Sequence, residues 1–408
     1  MSGVRRVPRN KRVLIIVQNL PVPFDRRVWL ECQALVGAGY GVSVICPKGK
    51  DDPKYHEIDG VRMYKYRPAP VTTNTLSFFY EFAYCWLMTA WLSLKVFVRD
   101  GFKVMQACNP PDTFFVLGAL FRLVGVKYVF DQHDLCPELF ESRGDDYSRA
   151  LHRALLVLER GTYATANHVI STNESYRAVA LRRGHKRADQ VTIVRTGPDP
   201  DKLRRCEPYP EHRRGHEHLV VYIGVMGPQD GVDYALRAIH HYVHVLGRTD
   251  AQFTFIGKGD AYDALQTMVT ELDIAAHVHF TGRAPDDLVA EIMSTADLGL
   301  SPDPKNALND VSTMNKTMEY MSYELPVVAF DLVETRVSAQ DAAIYVEPND
   351  TAKYGETIAE LVDDPDRRAE MGKIGRNRVE QVLAWPHSAR NYLAVYRSLL
   401  GSVPRTSD

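Results

Sequence analysis

Asn315, Lys316 and Glu319 bring an amide, an ammonium and a carboxylate into five residues of "NDVSTMNKTMEYMSYELPVVAFD", just ahead of the apolar run "LPVVAF". On a helix beginning near Ser312, Met314, Met318, Met321 and Leu325 recur at spacings of four, three and four and form a core face. Ser312, Asn315, Glu319 and Ser322 fall on another face, with Lys316 beside it. The first turn of such a helix, where Thr313 also stands, offers unpaired N–H groups and the positive end of the helix dipole. That is a site for a diphosphate, and Lys316 would reinforce it. Glu319, seven residues past Ser312, lies about 10 Å along the axis at the helical rise. A carboxylate at that distance can accept hydrogen bonds from both hydroxyls of a nucleotide ribose. The competing reading is an amphipathic helix with Glu and Lys on a solvated face.

Positioning these groups requires strands. "RVLIIVQNL" is a continuous apolar run of the length of a strand buried on both faces. A helix-like stretch follows, then "GVSVICP", giving the β-α-β unit of a parallel sheet. "GAGYG" follows that helix rather than opening one, so it is a glycine-capped connection and no dinucleotide fingerprint. "KVMQAC", "KYVFDQHD", "HVISTN" and "QVTIVRTG" continue the alternation, with a helix from about Arg149 to Ala164. Between Gly197 and Leu219 a stretch dense in Pro, Gly and charge reads as a linker. The pattern restarts with "LVVYIG", "QFTFIG", "VHFTG", "LGLSP" and "LPVVAF". The expectation is two doubly wound, Rossmann-like α/β domains, residues 1–197 and 198–385, facing across a cleft at the carboxyl ends of their strands. Glycines at 224, 227, 257 and 259 follow strands of the second domain, and Lys258 adds a positive charge there.

With 45% hydrophobic and 25% charged residues over 408 positions, the chain has the balance of a globular protein of two domains. The six cysteines form neither a CxxC pair nor a zinc spacing, which suits a reducing, cytoplasmic setting. No signal-peptide pattern opens the chain. Residues 1–200 carry 28 Lys and Arg against 19 Asp and Glu, and the remainder 21 against 32. A basic first half suits an anionic partner such as a membrane surface or a phosphorylated acceptor. Nucleic acid is disfavoured by the acidic second half and the lack of a reader motif. "LSFFYEFAYCWLMTAWLSLKVFV", residues 76–98, reads as a buried helix pair or as a helix lying on a membrane; Glu81 and Lys95 interrupt it as a span. Asp199 and Asp201 sit in a Pro-rich turn, and His240 and His244 lack a third ligand, so neither pair marks a metal site.

"EYMSYELPVVAFD", "PVPFDRRVWLECQALVGAGYGVSVI", "FDQHDLCPEL", "IGVMGPQDGVD", "GKGD" and "VHFTGRAPDDLVAEIMSTADLGLSP" together resemble the retaining glycosyltransferases of family four, over nearly the whole chain. The resemblance implies the two-domain GT-B fold, with the final helix, residues 386–408, crossing back to complete the first domain. It implies a nucleotide-diphosphate sugar donor, UDP- or GDP-linked, no metal and no cofactor. Glu319 matches the second glutamate of the family's E-x7-E motif. His133 matches a histidine near the donor sugar. Gly282 and Arg283 match a loop against the base, and Gly224 and Val225 the loop after the first strand. Two departures stand out. Val311 replaces the first glutamate, so its role falls to Asp310, one residue off register, or to backbone groups at the helix start. Val225 and Asp230 replace the family's Arg and Lys on the diphosphate, which leaves Lys258 and Lys316 to stabilise the leaving group. The acceptor expected on the first domain is a saccharide or a polyprenyl-diphosphate-linked sugar. Arg26, Arg27 and the aromatic segment would hold it in peripheral contact with the inner face of the plasma membrane. A nucleotide-sugar 2-epimerase of related architecture and a non-catalytic donor-binding subunit are the alternatives.

Overall fold

A computed structural model describes residues 7–69, 75–142 and 148–402, with the side chains of residues 75–79 left aside. The chain divides into two compact units. The first comprises residues up to Phe140, Ser148–Arg195 and the chain from Ser388 on; the second takes Glu141–Tyr147 and Thr196–His387.

The first unit is built on an eight-stranded sheet. In chain order its elements are β1 (Arg12–Ile16), α1 (Arg26–Gly37), β2 (Gly41–Pro47), β3 (Tyr55–Ile58), β4 (Val61–Tyr66), α2 (Thr75–Arg99), β5 (Val104–Cys108), α3 (Phe115–Arg122), β6 (Lys127–Gln132), α4 (Cys136–Glu141), α5 (Arg149–Thr165), β7 (His168–Ser171), α6 (Glu174–Arg182) and β8 (Val191–Ile193). The spatial order is β3-β4-β2-β1-β5-β6-β7-β8, parallel except for the β3–β4 hairpin. Every residue of β1, β2 and β5 is buried, as helices covering both faces require. Asp25 caps α1 by accepting from the Val28 N–H at 3.0 Å. The helix ends at Gly37, and Gly39, two residues on, supplies with its φ of +87° the left-handed turn expected of "GAGYG".

Residues 76–98 lie within one continuous 25-residue helix, α2, and not a helix pair. Its inner side, with Leu92 and Val96, packs on the sheet together with Leu117 of α3 and Tyr163 of α5. Among the described residues no helix is long and apolar enough to cross a membrane.

The second unit continues with β9 (His218–Ile223), α7 (Val232–His240), β10 (Ala251–Ile256), α8 (Tyr262–Glu271), β11 (Val278–Gly282), α9 (Asp286–Thr295), β12 (Leu298–Ser301), α10 (Asn315–Ser322), β13 (Val327–Phe330), α11 (Val333–Ala339), β14 (Ala343–Val346), α12 (Thr351–Val362) and α13 (Pro365–Arg378). Its six strands are all parallel, in the order β11-β10-β9-β12-β13-β14. Along β9, Val220 and Tyr222 enter one core with α7 and α12, while Leu219 and Val221 enter another with α9 and α10. That alternation defines a sheet wound on both sides. The last helix, α14 (Trp385–Leu400), runs from the end of the second unit into the first.

Residues 197–219 are not a bare linker. The Cys206 and Tyr209 N–H groups donate to the hydroxyls of Ser294 and Thr295, at 2.9 and 2.8 Å. Arg213 also grips Asp297 at 2.6 Å. Side chains near the carboxyl end of α9 thus satisfy backbone that composition alone would leave to solvent.

Candidate functional site

The strands of the six-stranded sheet all end at one edge, and β9 is where its order reverses, with β10 on one side and β12 on the other. Loops diverge at such a point, and open α/β sheets bind ligands there. Here the diverging loops are held close together. Gly257, at φ +133°, lies against the loop after β9; a Cβ added to it would stand 1.9 Å from the Gly224 carbonyl oxygen. Gly259 meets the Met226 backbone just as tightly, at 2.6 Å. The Gly224 N–H donates to Ile256 at 3.0 Å, and the Gly257 N–H to Gly282 at 2.9 Å. Gly224, Val225, Lys258 and Gly282 are thereby gathered on adjoining loops, and glycine is required because backbone touches backbone. Val225 is 61% exposed. Lys258 is exposed too, its ammonium 5.2 Å from the centre of the Tyr262 ring.

Lys316 is placed differently from the sequence expectation. Only 9% exposed, it directs its ammonium to Asp303 Oδ1 at 2.5 Å, 5.2 Å from the centre of the Tyr222 ring. The Ser301 hydroxyl donates to the other Asp303 oxygen at 2.8 Å. Burial alone would push the Lys316 ammonium down, but the charges of Asp303 and then Asp230 hold it above the ordinary lysine value. Burial pushes Asp230 up in turn, partly opposed by Lys316. The Lys316 charge is therefore consumed inside the protein, tying the β9 and β12 loops together. The loop after β12 is fixed further by the Asn309 amide, which donates to Gln229 O and Pro304 O, each at 2.9 Å.

The helix also begins later than its apolar spacing predicts. Asn309–Val311 form a 3₁₀ turn, Ser312 is extended, and α10 opens at Asn315 after Met314. Thr313 therefore lies on the approach to the helix, and Asn315, exposed, is its first residue. First-turn amides of a helix lack an i−4 acceptor and can face an anion, but here the Thr317 N–H is already taken by Met314 O at 3.1 Å. Glu319, half-buried, is four residues along rather than seven, about 6 Å at the helical rise. Ser322, expected beside it, is buried and donates to Met318 O at 2.8 Å. Asp310 has a structural partner, accepting from the Val333 N–H at 3.1 Å at the start of α11. Arg283 directly follows β11.

His133 belongs to the first unit, at the end of β6, and sits on a polar cluster buried among strands. Its Nε2 is 2.8 Å from Asp131 Oδ2 and 3.0 Å from Arg27 Nε. Arg27 also reaches Asp131 Oδ1 at 2.9 Å and Glu31 at 3.2 Å. The Gln106 amide donates to both Glu31 (2.7 Å) and Asp131 (2.8 Å). Its carbonyl accepts from the hydroxyls of Tyr392, at 2.8 Å, and Tyr396, both on α14. Two carboxylates thus share one guanidinium. For Asp131 burial would raise the pKa, but Arg27 and then His133 outweigh it and hold the group well below the usual carboxylate range. For Glu31 burial dominates, the Asp131 charge adds to it, and the group is raised well above its ordinary value. Of the two, Asp131 is therefore the better holder of the negative charge and Glu31 the more readily protonated. Arg27 is committed to this cluster, which corrects the expectation that it faces an anionic acceptor. The Cys108 thiol, pushed up by burial and the same carboxylates, joins Asp131 and His133 at metal-ligand spacing. Arg27 already occupies that space, so the donor set does not suit a cation. In a second such group, His218, Asp250 and Asp363, the Arg248 guanidinium bridges the two carboxylates at 2.5 and 2.6 Å.

Of this cluster the sequence singles out His133, through the family resemblance, and Arg27, in a different role. Arg27 and Glu31 at i, i+4 in "DRRVWLE" were its one local signal.

Two family profiles cover most of the chain. The one described as "Glycosyl transferases group 1" matches residues 217–364, and "Glycosyl transferase 4-like domain" matches residues 25–197. An uncharacterized glycosyltransferase of Methanocaldococcus jannaschii is 23% identical over 385 residues, covering 90% of this chain and 91% of its own length. Among solved structures, sucrose-phosphate synthase of Thermosynechococcus elongatus superposes with a TM-score of 0.77 at 18% identity, over 95% of this chain and 99% of that one. HepE of Anabaena, solved with UDP-glucose, gives 0.71 at 14% identity, over 95% and 99%.

Proposed function

We infer, from this chain's membership of the family-4 glycosyltransferases of GT-B fold, that it moves a hexosyl or N-acetylhexosaminyl group from a UDP- or GDP-linked donor to a saccharide acceptor carried on a lipid. The observation that carries the donor half is the pinched edge at β9. The glycine loops after β9 and β10 meet there, and the buried Lys316–Asp303 pair fixes the adjoining loop after β12 to the start of α10. In this reading the diphosphate lies on the glycine-loop backbone and the first turn of α10, with Lys258 as the mobile cation. Glu319, one turn further, takes the ribose hydroxyls, and Gly282 and Arg283 flank the base. Lys316 positions the loops rather than touching phosphate.

For chemistry, the bond from anomeric carbon to diphosphate oxygen breaks, and that oxygen keeps the electron pair. An acceptor hydroxyl forms the new bond from the same face, giving retention, and its proton leaves with the departing phosphate. Preorganised amides and Lys258 stabilise the growing charge, so no metal is invoked. His133, held by Asp131 and Arg27, is the first unit's candidate catalytic residue.

Thermal-shift titration with UDP- and GDP-sugars, followed by transfer assays on lipid-linked saccharides, tests the reading. Lys258→Ala is expected to abolish most transfer while nucleoside binding persists, and unchanged transfer refutes the assignment. A second reading, donor binding without turnover, is favoured by Val225 where the family carries a cation and by the neutralised Lys316. A wild-type protein that binds a nucleotide sugar but transfers nothing to any acceptor supports it.

A further inference from the structure

We propose that the outer face of the helical layer α2, α3 and α5 is a docking surface for a bilayer of anionic lipid. The three helices lie side by side on one face of the eight-stranded sheet. Phe97 of α2 meets Phe121 of α3 at 5.4 Å between ring centres, and Phe115 of α3 covers Gly161 of α5. Each turns apolar side chains outward, among them Trp91, Leu94 and Val98 of α2, Leu120 of α3 and Val157 of α5. Leu123, just past the end of α3, is 84% exposed.

The charges on this face have one sign. Among the described residues of the three helices, the exposed charged side chains are Lys95, Arg99, Arg122, Arg149, Arg153 and Arg160, and no exposed one is acidic. Glu81 is half-buried, and Glu159 is buried against Arg183 at 2.6 Å. Asp100, next to the end of α2, pairs with Arg62 at 2.8 Å. Ordinary surface helices mix both signs, and an exposed apolar patch bordered by polar groups marks an interaction site. Apolar residues interleaved with Lys and Arg suit the headgroup boundary of an anionic membrane, where Trp and basic side chains both settle. Lys95 already lies over the Trp91 ring at 5.2 Å, presenting the pair as one unit. A second copy is the poorer occupant, because face-to-face pairing would oppose like charges. Since none of the described helices can span a bilayer, the layer would lie on the surface and not cross it. The proposal is independent of the donor chemistry.

Sedimentation of the full chain with phosphatidylcholine vesicles, with and without about 30% phosphatidylglycerol, tests it. Binding is expected only with the anionic lipid and is expected to fall sharply in roughly 0.5 M salt. The pair Arg122→Glu and Arg153→Glu should weaken partitioning by ~25-fold or more, about fivefold for each cation removed. Leu123→Asp, at a site too exposed to disturb folding, should weaken it as well. Equal binding to neutral vesicles, no binding to anionic ones, or wild-type binding by the charge-reversed variant overturns the proposal. So does a concentration-dependent dimer that Leu123→Asp dissolves in the absence of lipid binding. Sugar transfer is not read in any arm, so failure here leaves the donor reading untouched.

Discussion

Replacing Arg27 with Met separates the two carboxylates that share it. Asp131 is fully buried and carries its charge because Arg27 sits 2.9 Å away. Removing one partner of a buried pair leaves an uncompensated charge and costs about 3–5 kcal/mol. For a domain of this size each kcal/mol lowers Tm by roughly 2–4 °C, so Arg27→Met should melt ~6–20 °C earlier. Glu31 is also fully buried and lies 3.2 Å from Arg27, yet burial and the Asp131 charge favour its protonated form. Glu31→Gln preserves its shape and its partner Gln106 and should cost less than about 1 kcal/mol. Adding Asp131→Asn to Arg27→Met removes both charges and should recover at least half of the loss.

The two single variants also differ in pH dependence. Burial, and then the Asp131 charge, raise the pKa of Glu31 in the folded state. The stability it contributes is therefore fully present below the ordinary glutamate value and is lost as pH rises toward the folded one. Glu31→Gln cannot ionise, so relative to wild type it should gain stability as pH rises from about 4.5. Thermal melts followed by circular dichroism between acid and mildly alkaline pH read all of this. If Arg27→Met melts within a degree or two of wild type, or if Glu31→Gln is as damaging, the charge is not distributed as argued.

Lys316→Met should destabilise the second unit by about 3–5 kcal/mol by stranding Asp303, measured by urea unfolding, whereas Lys258→Ala should leave stability within about 0.5 kcal/mol. Gly257→Ala should lower both stability and nucleotide-sugar affinity, because its Cβ would meet the Gly224 carbonyl at 1.9 Å at a strained φ; calorimetric titration checks it. Asp112, pushed up to about 7 mainly by burial, contributes stability that is complete near pH 4 and lost as pH rises through 7. Asp112→Asn should flatten that slope, worth on the order of 3 kcal/mol between the two conditions, in melts at pH 5 and 8.

Both sheets were legible because their strands are unbroken apolar runs separated by helix-length segments, a pattern fixed by local burial. The β3–β4 hairpin was missed: "YHEI" is an exposed edge with no apolar run to announce it. The glycines after β9 and β10 could be read as ligand-facing because strand ends are visible in sequence. What Lys316 touches could not, since its partner Asp303 lies on the loop after a different strand. The late start of α10 has the same origin. The Asn309 amide holds the preceding loop by bonds to Gln229 and Pro304, so Ser312 stays extended although its spacing fits a helix. The cluster around Arg27 draws on α1, β5, β6 and α14, and long-range polar partners of that kind leave no periodicity.

The hydroxyls of Tyr392 and Tyr396 close this cluster from α14, nearly 300 positions downstream of Gln106. A ribosome releases nearly all of the second unit as one block, Thr196–His387. The first unit, in contrast, must wait with its innermost polar groups unsealed until that block has been made. During that interval Asp131 and Gln106 are open to water. Chaperone dependence and protease sensitivity of nascent chains should therefore concentrate in the amino-terminal half and vanish once Tyr396 has emerged.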